Sequence, residues 1–133
     1  MKSLALLPLV LFSAQAHASD DSLKACIDAA ESTPAMEECA NTEVRARDAL
    51  LNQVFQQVKA RASRQENMTP YNPQAAVAKL VQAERAWIAY RDATCAFTEE
   101  FTNGHSDMPL QISLCDIRVT QSRIDELRKS IEE

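Results

Sequence analysis

Glycine is nearly absent from this sequence, because Gly104 is the single glycine among 133 residues. Phosphate-cradling loops and dinucleotide-binding fingerprints need several glycines where the backbone approaches phosphate, so both classes of nucleotide site are excluded. An all-β domain is disfavoured as well, since its tight turns usually take glycine at positive φ. A chain of this length is therefore expected to form one helical domain.

Basic residues are too few for a nucleic-acid-binding surface. The chain has 14 lysines and arginines against 19 aspartates and glutamates, and its net charge is −5. Binding to phosphate backbones requires a basic face, and no marked basic cluster is present in the sequence. We therefore expect no nucleic-acid partner.

The N-terminal apolar run is too short to cross a bilayer, which takes roughly 20 residues. It covers residues 4–12, follows the positive charge of Lys2 and precedes the small-x-small pattern of Ala16 and Ala18. These features are typical of a cleavable secretory signal peptide. We expect residues 1–18 to be removed, leaving a mature domain of residues 19–133. The loss of Lys2 moves the net charge from −5 to −6.

Cys26 follows a leucine-containing stretch that loosely resembles a lipidation box. However, Asp20, Asp21 and Lys24 separate Cys26 from the apolar run, whereas lipidation requires the cysteine directly after that run. The sequence therefore predicts a periplasmic or secreted protein that is neither lipidated nor inserted into a membrane.

All four cysteines lie in the predicted mature domain: Cys26, Cys39, Cys95 and Cys115. An even number of cysteines in an exported chain indicates two disulfides. A zinc site is disfavoured because the intervals of 12 and 19 residues contain no C-x-x-C pair. Three pairings are possible. We favour Cys26 with Cys39 and Cys95 with Cys115, since each pair brackets a predicted connection between helices.

Breaks in the helical pattern occur at residues 32–34, 68–73 and 102–109. They predict helices at about 21–31, 35–63, 73–101 and 110–131. Apolar residues in the last three helices follow the spacing of a buried helix face. In the second helix these residues are Ala40, Val44, Leu51, Phe55, Val58 and Ala62. In the third helix they are Val77, Leu80, Val81, Trp87, Ile88, Thr94 and Cys95. In the fourth helix they are Leu114, Ile117, Ile124, Leu127 and Ile131. Long helices with short connections predict an all-α antiparallel bundle of about four helices, stapled by two disulfides.

Catalytic groups are scarce in the predicted mature domain, which retains His105 as its single histidine. His105, Ser106 and Asp107 carry the side chains of a catalytic triad, but consecutive residues cannot converge with triad geometry. Neighbouring carboxylates such as Glu99 and Glu100 point about 100° apart on a helix. We therefore expect no enzymatic activity, no cofactor and no metal.

Two sequence stretches carry a resemblance to a known family. They are D-A-L-L-N-Q-V-F at residues 48–55 and A-E-R-A-W-I-A-Y-R-D-A-T-C at residues 83–95. With the cysteines before and after them, they make the chain similar to the LprI-like lysozyme-inhibitor domain over essentially the whole mature part. The motif positions are Asp48, Leu51, Asn52, Phe55, Trp87, Tyr90, Arg91 and Arg123. Glu84 and Phe55 depart from the family, where glutamine and tyrosine are common at these positions.

Several motif residues have a predicted structural role. The spacing places Trp87, Tyr90 and Arg91 on one helix face, with Trp87 as a core anchor. Arg91 could hold a carboxylate from a neighbouring helix, with Asp48 and Glu84 as candidates. The alternative interpretation is that Tyr90 and Arg91 face a partner. Similarly, Arg47 falls within an apolar stripe, so it either snorkels from the edge or meets a carboxylate inside.

The resemblance implies an exported helical domain that inhibits lysozyme in a few family members, with occlusion of the lysozyme cleft as the expected mechanism. An acidic domain suits a basic partner such as lysozyme or another basic cell-wall hydrolase. The expected partner-binding loop contains Gly104, His105, Ser106 and Asp107. One alternative is a periplasmic interaction protein, either an immunity protein against a cell-wall-degrading toxin or an envelope-stress module without lysozyme activity. Another is a structural or small-ligand bundle, which would need an apolar pocket.

Overall fold

The computed structural model describes residues 14–64, 72–102 and 106–132, and it confirms the predicted all-α fold. The helices are α1 (Ala14–Ala29), α2 (Thr33–Arg64), α3 (Pro73–Thr102) and α4 (Met108–Glu132). Three of them agree with the predicted bounds to within a few residues, whereas α1 begins earlier than expected. The apolar run of the predicted signal peptide, residues 4–12, lies outside the described residues.

Polar side chains mark the beginnings of α2 and α3. The backbone N–H of Ala35 donates to Ser32 Oγ at 3.4 Å, and that of Ala75 donates to Asn72 Oδ1 at 3.0 Å. Each bond satisfies an amide that has no partner within its own helix. A proline follows in the first turn of both helices, where a missing N–H is tolerated. The local sequence therefore fixes where these helices begin.

Contacts along the helices give an up-down-up-down bundle. Ser113 donates a 2.9 Å hydrogen bond to Asn41, and Arg61 near the other end of α2 bonds to the carbonyl of Ile131. The helices α2 and α4 therefore run parallel and form the centre of the bundle. The helix α3 packs antiparallel against both of them, and α1 packs against α2.

Three groups of buried apolar side chains form the core. The first joins α2 and α4 through Leu51, Val54, Val58, Ile124 and Leu127, with Leu80 and Trp87 of α3 packed against it. The second contains Ala40, Leu110 and Ile117, with Leu23 of α1 beside it. The third group consists of Cys95, Cys115 and Val119. Burial of each large apolar side chain stabilises the fold by roughly 1.5–3 kcal/mol.

Several positions differ from the predicted core; Leu110 and Val119, for example, are buried although the predicted stripe of the last helix omitted them. Val54 is buried although the predicted stripe omitted it, because the buried face of α2 is wide enough to include both Val54 and Leu51. Ile88 was expected inside, but 41% of it is exposed. It follows Trp87 directly in α3 and so points about 100° away from that residue.

The structure contains the two disulfides of the predicted fold, in the local pairing. Cys26–Cys39 joins α1 to α2, and Cys95–Cys115 joins α3 to α4. Because α2 and α4 are parallel, both bridges lie in the half of the bundle where these helices begin. We call this half the disulfide-linked end: it comprises the connection at residues 30–32, the beginnings of α2 and α4, and the ends of α1 and α3.

Candidate functional site

The motif residues meet between α2, α3 and α4, with Arg91 at the centre. Its guanidinium carbon lies 5.3 Å from the centroid of the Trp87 ring, within the range of a cation–π contact. Its Nη1 lies 3.4 Å from Asp48 Oδ1, and its Nε lies 3.9 Å from Asp116 Oδ1. Arg91 thus holds a carboxylate from α2, as the spacing predicted for Asp48, and faces a second carboxylate from α4.

The electrostatic environment of Asp48 opposes its ionisation. Partial burial raises the pKa of the Asp48 carboxyl and the charge of Asp116 raises it further, while Arg91 lowers it. The net result is a pKa above the ordinary aspartate value. Asp92 of α3 also lies 3.0 Å from Arg91. The three carboxylates around one arginine are therefore a local source of electrostatic repulsion at neutral pH.

Glu84, the other carboxylate predicted as a partner of Arg91, instead binds Arg123 of α4. The Nε and Nη2 atoms of Arg123 lie 2.9 and 2.8 Å from Glu84 Oε2, and Nη1 lies 2.8 Å from Glu126. Burial opposes the charge of Arg123, but the hydrogen bonds with Glu126 and Glu84 outweigh it and raise the pKa of the guanidinium. Glu84, the departure from the common glutamine, therefore forms an ion pair between α3 and α4.

Arg47 meets carboxylates inside the protein rather than snorkelling. It is 2% exposed, and its guanidinium bonds to Glu43 one turn earlier in α2. It also bonds to Asp20 of α1 at 2.6 Å and to Gln121 of α4. One buried arginine thus links three helices.

The motif positions divide between the interior and the surface. Leu51 is buried, and Phe55 and Trp87 are half-buried against the same core group. Asn52 and Tyr90 are exposed. Tyr90 was expected on the face of Trp87, but the two residues lie about 60° apart around the helix axis, and this rotation takes Tyr90 out of the interface. The geometry therefore favours a structural role for most of the motif.

The expected partner-binding loop is described only in part, since Gly104 and His105 lie outside the described residues. Ser106 is exposed. The carbonyl of Asp107 accepts the first backbone hydrogen bond of α4, from Gln111 at 3.0 Å, and its carboxylate accepts a bond from the Gln111 side chain. Asp107 thus occupies the N-cap position of α4, so its first role is to start that helix.

The two ends of the bundle carry opposite excesses of charge. The disulfide-linked end carries the carboxylates Asp28, Glu31, Glu37, Glu38, Glu99, Glu100 and Asp107 alongside the basic Lys24. The opposite end carries the basic residues Lys59, Arg61, Arg64, Lys79, Arg128 and Lys129, which outnumber its carboxylates Asp125, Glu126 and Glu132. Sequence reasoning missed this separation because it depends on α2 and α4 running parallel. The acidic end could therefore attract a basic partner through its surface charge.

No cluster of three or more potential metal-ligating histidine, cysteine or carboxylate side chains occurs among the described residues. None of the helices in the described ranges combines the length and apolar character needed to span a bilayer.

Comparisons with known proteins match this helical chain over most of its length. The sequence model of the family described as "Lysozyme inhibitor LprI" matches residues 26–127. An uncharacterized protein of Rhizobium meliloti (strain 1021) is 33% identical over 97 residues, which cover 71% of this chain and 70% of that protein. No solved structure matches the chain significantly.

Proposed function

The chain belongs to the LprI lysozyme inhibitor family, and from this premise we propose that it inhibits a lysozyme by binding it through the disulfide-linked end. The family is one of inhibitors rather than enzymes, which is consistent with the scarcity of catalytic groups in the sequence. The observation that carries the proposed binding site is the concentration of carboxylates at this end of the bundle.

The charge separation supports a specific orientation in the complex. Lysozymes of the common type are strongly basic outside their cleft, so the acidic end would be attracted and the basic end repelled. Such steering raises the association rate and weakens as salt screens the charges over about 10 Å at 0.1 M. The acidic end would then meet the lysozyme first.

The two disulfides at this end support an inhibitory mechanism. The two disulfides connect neighbouring helices near the connection at residues 30–32 and near the loop between α3 and α4. A surface that is already ordered loses little conformational entropy on binding. We propose that this end blocks the lysozyme cleft, with Ser106 and Asp107 at the contact and the charge of the neighbouring carboxylates assisting.

Export is part of the same proposal. We propose that residues 1–18 are a cleaved signal peptide and that residues 19–133 act in the periplasm or outside the cell, without a lipid anchor. Two disulfides support this location, since such bonds persist in oxidising compartments. Lysozyme would reach the protein in those compartments.

A cell-wall lysis assay tests the function. The mature protein is titrated against c-type, g-type and invertebrate-type lysozymes at low and moderate salt, with protein reduced and alkylated at its four cysteines as the control. We expect dose-dependent inhibition of at least one class by the disulfide-bonded form and weaker inhibition at moderate salt. Absence of inhibition in every class would overturn the proposal and favour the immunity or envelope-stress alternative.

A further inference from the structure

The outer face of α3 carries large apolar side chains that no other described helix covers. The exposed large hydrophobic residues among those described all belong to α3: Ile88 at 41%, Tyr90 at 61%, Phe97 at 66% and Phe101 at 80%. The rings of Phe97 and Phe101 lie 5.8 Å apart, so they form one continuous patch. A patch of this kind on a helix is characteristic of an interaction surface.

A row of small residues runs beside these rings. Ala86, Ala89, Ala93 and Ala96 are all exposed and follow the three-four spacing of a helix-pairing seam. At 100° per residue, the centre of this seam lies about 180° from the face of α3 that packs against α2 and α4. We call these four residues the alanine seam. Small side chains at this position allow another helix to approach closely.

We propose that α3 forms a symmetric antiparallel dimer with α3 of a second copy of this chain, packed along the alanine seam. A two-fold axis at residue 91 places Ala86 opposite Ala96 and Ala89 opposite Ala93 of the second copy. All four alanines then meet alanines. In an isologous interface each such contact occurs twice.

The residues beside the seam are complementary in the same register. In an antiparallel pair, each flank of the seam meets the same flank of the second copy. On one flank, the large Phe97 lies opposite the small Ala83 of the second copy. On the other flank, Arg85 lies opposite Glu99 of the second copy, so opposite charges meet across the pair. The two copies of Asp92 also approach each other on this flank near the axis, where each is paired with Arg91 of its own chain.

Charge along α3 selects the antiparallel direction. Its outer surface is basic in the first half, at Lys79 and Arg85, and acidic in the second half, at Asp92, Glu99 and Glu100. A parallel pair would bring like charges together, whereas an antiparallel pair joins basic halves to acidic halves. This self-complementarity favours a second copy over an unrelated apolar partner.

The proposed contact is small. The segment from Lys79 to Phe101 is about 33 Å long at 1.5 Å per residue. One helix of this length from each copy gives an interface at the lower end of the range for stable complexes. We expect a weak, reversible dimer with a dissociation constant on the order of micromolar, as for other small interfaces.

Sedimentation velocity of the mature protein across micromolar concentrations tests the dimer. We expect a concentration-dependent shift from monomer to dimer. Ala93→Arg should raise the dissociation constant at least tenfold, because the long charged side chain enters the seam. Ala49→Arg is the matched control, since Ala49 is exposed in the middle of α2, and it should leave the dissociation constant unchanged. Circular dichroism checks that both variants retain their helices.

Charge exchange provides a second test of the register. Arg85→Glu should weaken the dimer, and the double variant Arg85→Glu with Glu99→Arg should restore it. A wild-type protein that stays monomeric throughout, or a dimer that Ala93→Arg leaves intact, would overturn the inference. If the wild type is monomeric and Ala93→Arg abolishes lysozyme inhibition, the apolar patch would instead be a lysozyme-binding surface, and the dimer inference would be overturned. The dimer measurement uses no lysozyme, so its outcome is independent of the proposed function.

Discussion

Arginine side chains connect the helices of this protein at three interior positions. Arg47, Arg91 and Arg123 each contact a carboxylate from another helix. Burying a charge is costly unless it is paired, so each arginine requires its partners to be in place. Sequence spacing could identify Arg91 and Asp48 as partners, but it could not choose between the two interpretations of Arg47. That choice depends on where α1 and α4 lie.

Replacing Arg47 should therefore destabilise the protein strongly. Arg47→Ala leaves Glu43 buried without its partner, and we expect the free energy of unfolding to fall by about 3 kcal/mol. Arg45→Ala is the matched control, because Arg45 and Glu38 are 65% and 70% exposed and their pair contributes no more than about 1 kcal/mol. Chemical denaturation with intact disulfides measures both values. Equal losses of unfolding free energy in the two variants would contradict the buried pairing of Arg47 with Glu43.

Asp48 should make stability depend on pH. The native state raises the pKa of Asp48 and so retains its proton to higher pH than the unfolded state does. This contribution to the free energy of unfolding is therefore largest in acid and falls as pH rises through the ordinary value of about 3.9 and the raised native pKa. Relative to Asp48→Asn, the wild type should gain stability on acidification. Parallel denaturation series measure this difference, and a difference independent of pH would contradict the raised pKa.

At the scale of helices, most of the helix bounds and the two disulfides could be predicted from the sequence. Pro34, Pro73 and the polar residues around them marked the helix starts, and four cysteines suggested the bridges. The sequence could not predict that Ile88 and Tyr90 are exposed, because helical spacing does not show where the buried face of α3 ends. That limit is set by the positions of α2 and α4.

The two disulfides should have different effects on the bundle. In the chain-entropy model each closed loop contributes about 3 kcal/mol. However, α1 packs mainly against α2, and a helix of its length is marginal in isolation. Cys26→Ser with Cys39→Ser should therefore speed amide exchange in residues 21–29 while α2, α3 and α4 stay protected.

The corresponding double variant at Cys95 and Cys115 is the control for this prediction. It removes a bridge between two helices of the main bundle, so it should weaken protection across α3 and α4 together. Hydrogen exchange followed by mass spectrometry separates the two patterns. Uniform loss of protection in the Cys26 and Cys39 variant would contradict a peripheral α1.

At the scale of the whole molecule, the distribution of charge matters more than the net charge of −5. Composition alone suggested a basic partner but could not locate its binding surface. The parallel arrangement of α2 and α4 gathers acidic residues at the disulfide-linked end and basic residues at the other. If this separation guides lysozyme binding, two charge changes of equal size at opposite ends should have unequal effects.

The most direct measurement compares lysozyme inhibition by two double variants that lose the same net charge. Glu31→Gln with Glu37→Gln removes two carboxylates at the disulfide-linked end, and Asp125→Asn with Glu132→Gln removes two carboxylates toward the opposite end of the bundle. At low salt, we expect the first pair to raise the inhibition constant about tenfold, equivalent to about 1.4 kcal/mol, and the second to change it less than twofold. Equal effects, or no effect of the first pair, would contradict binding through the disulfide-linked end.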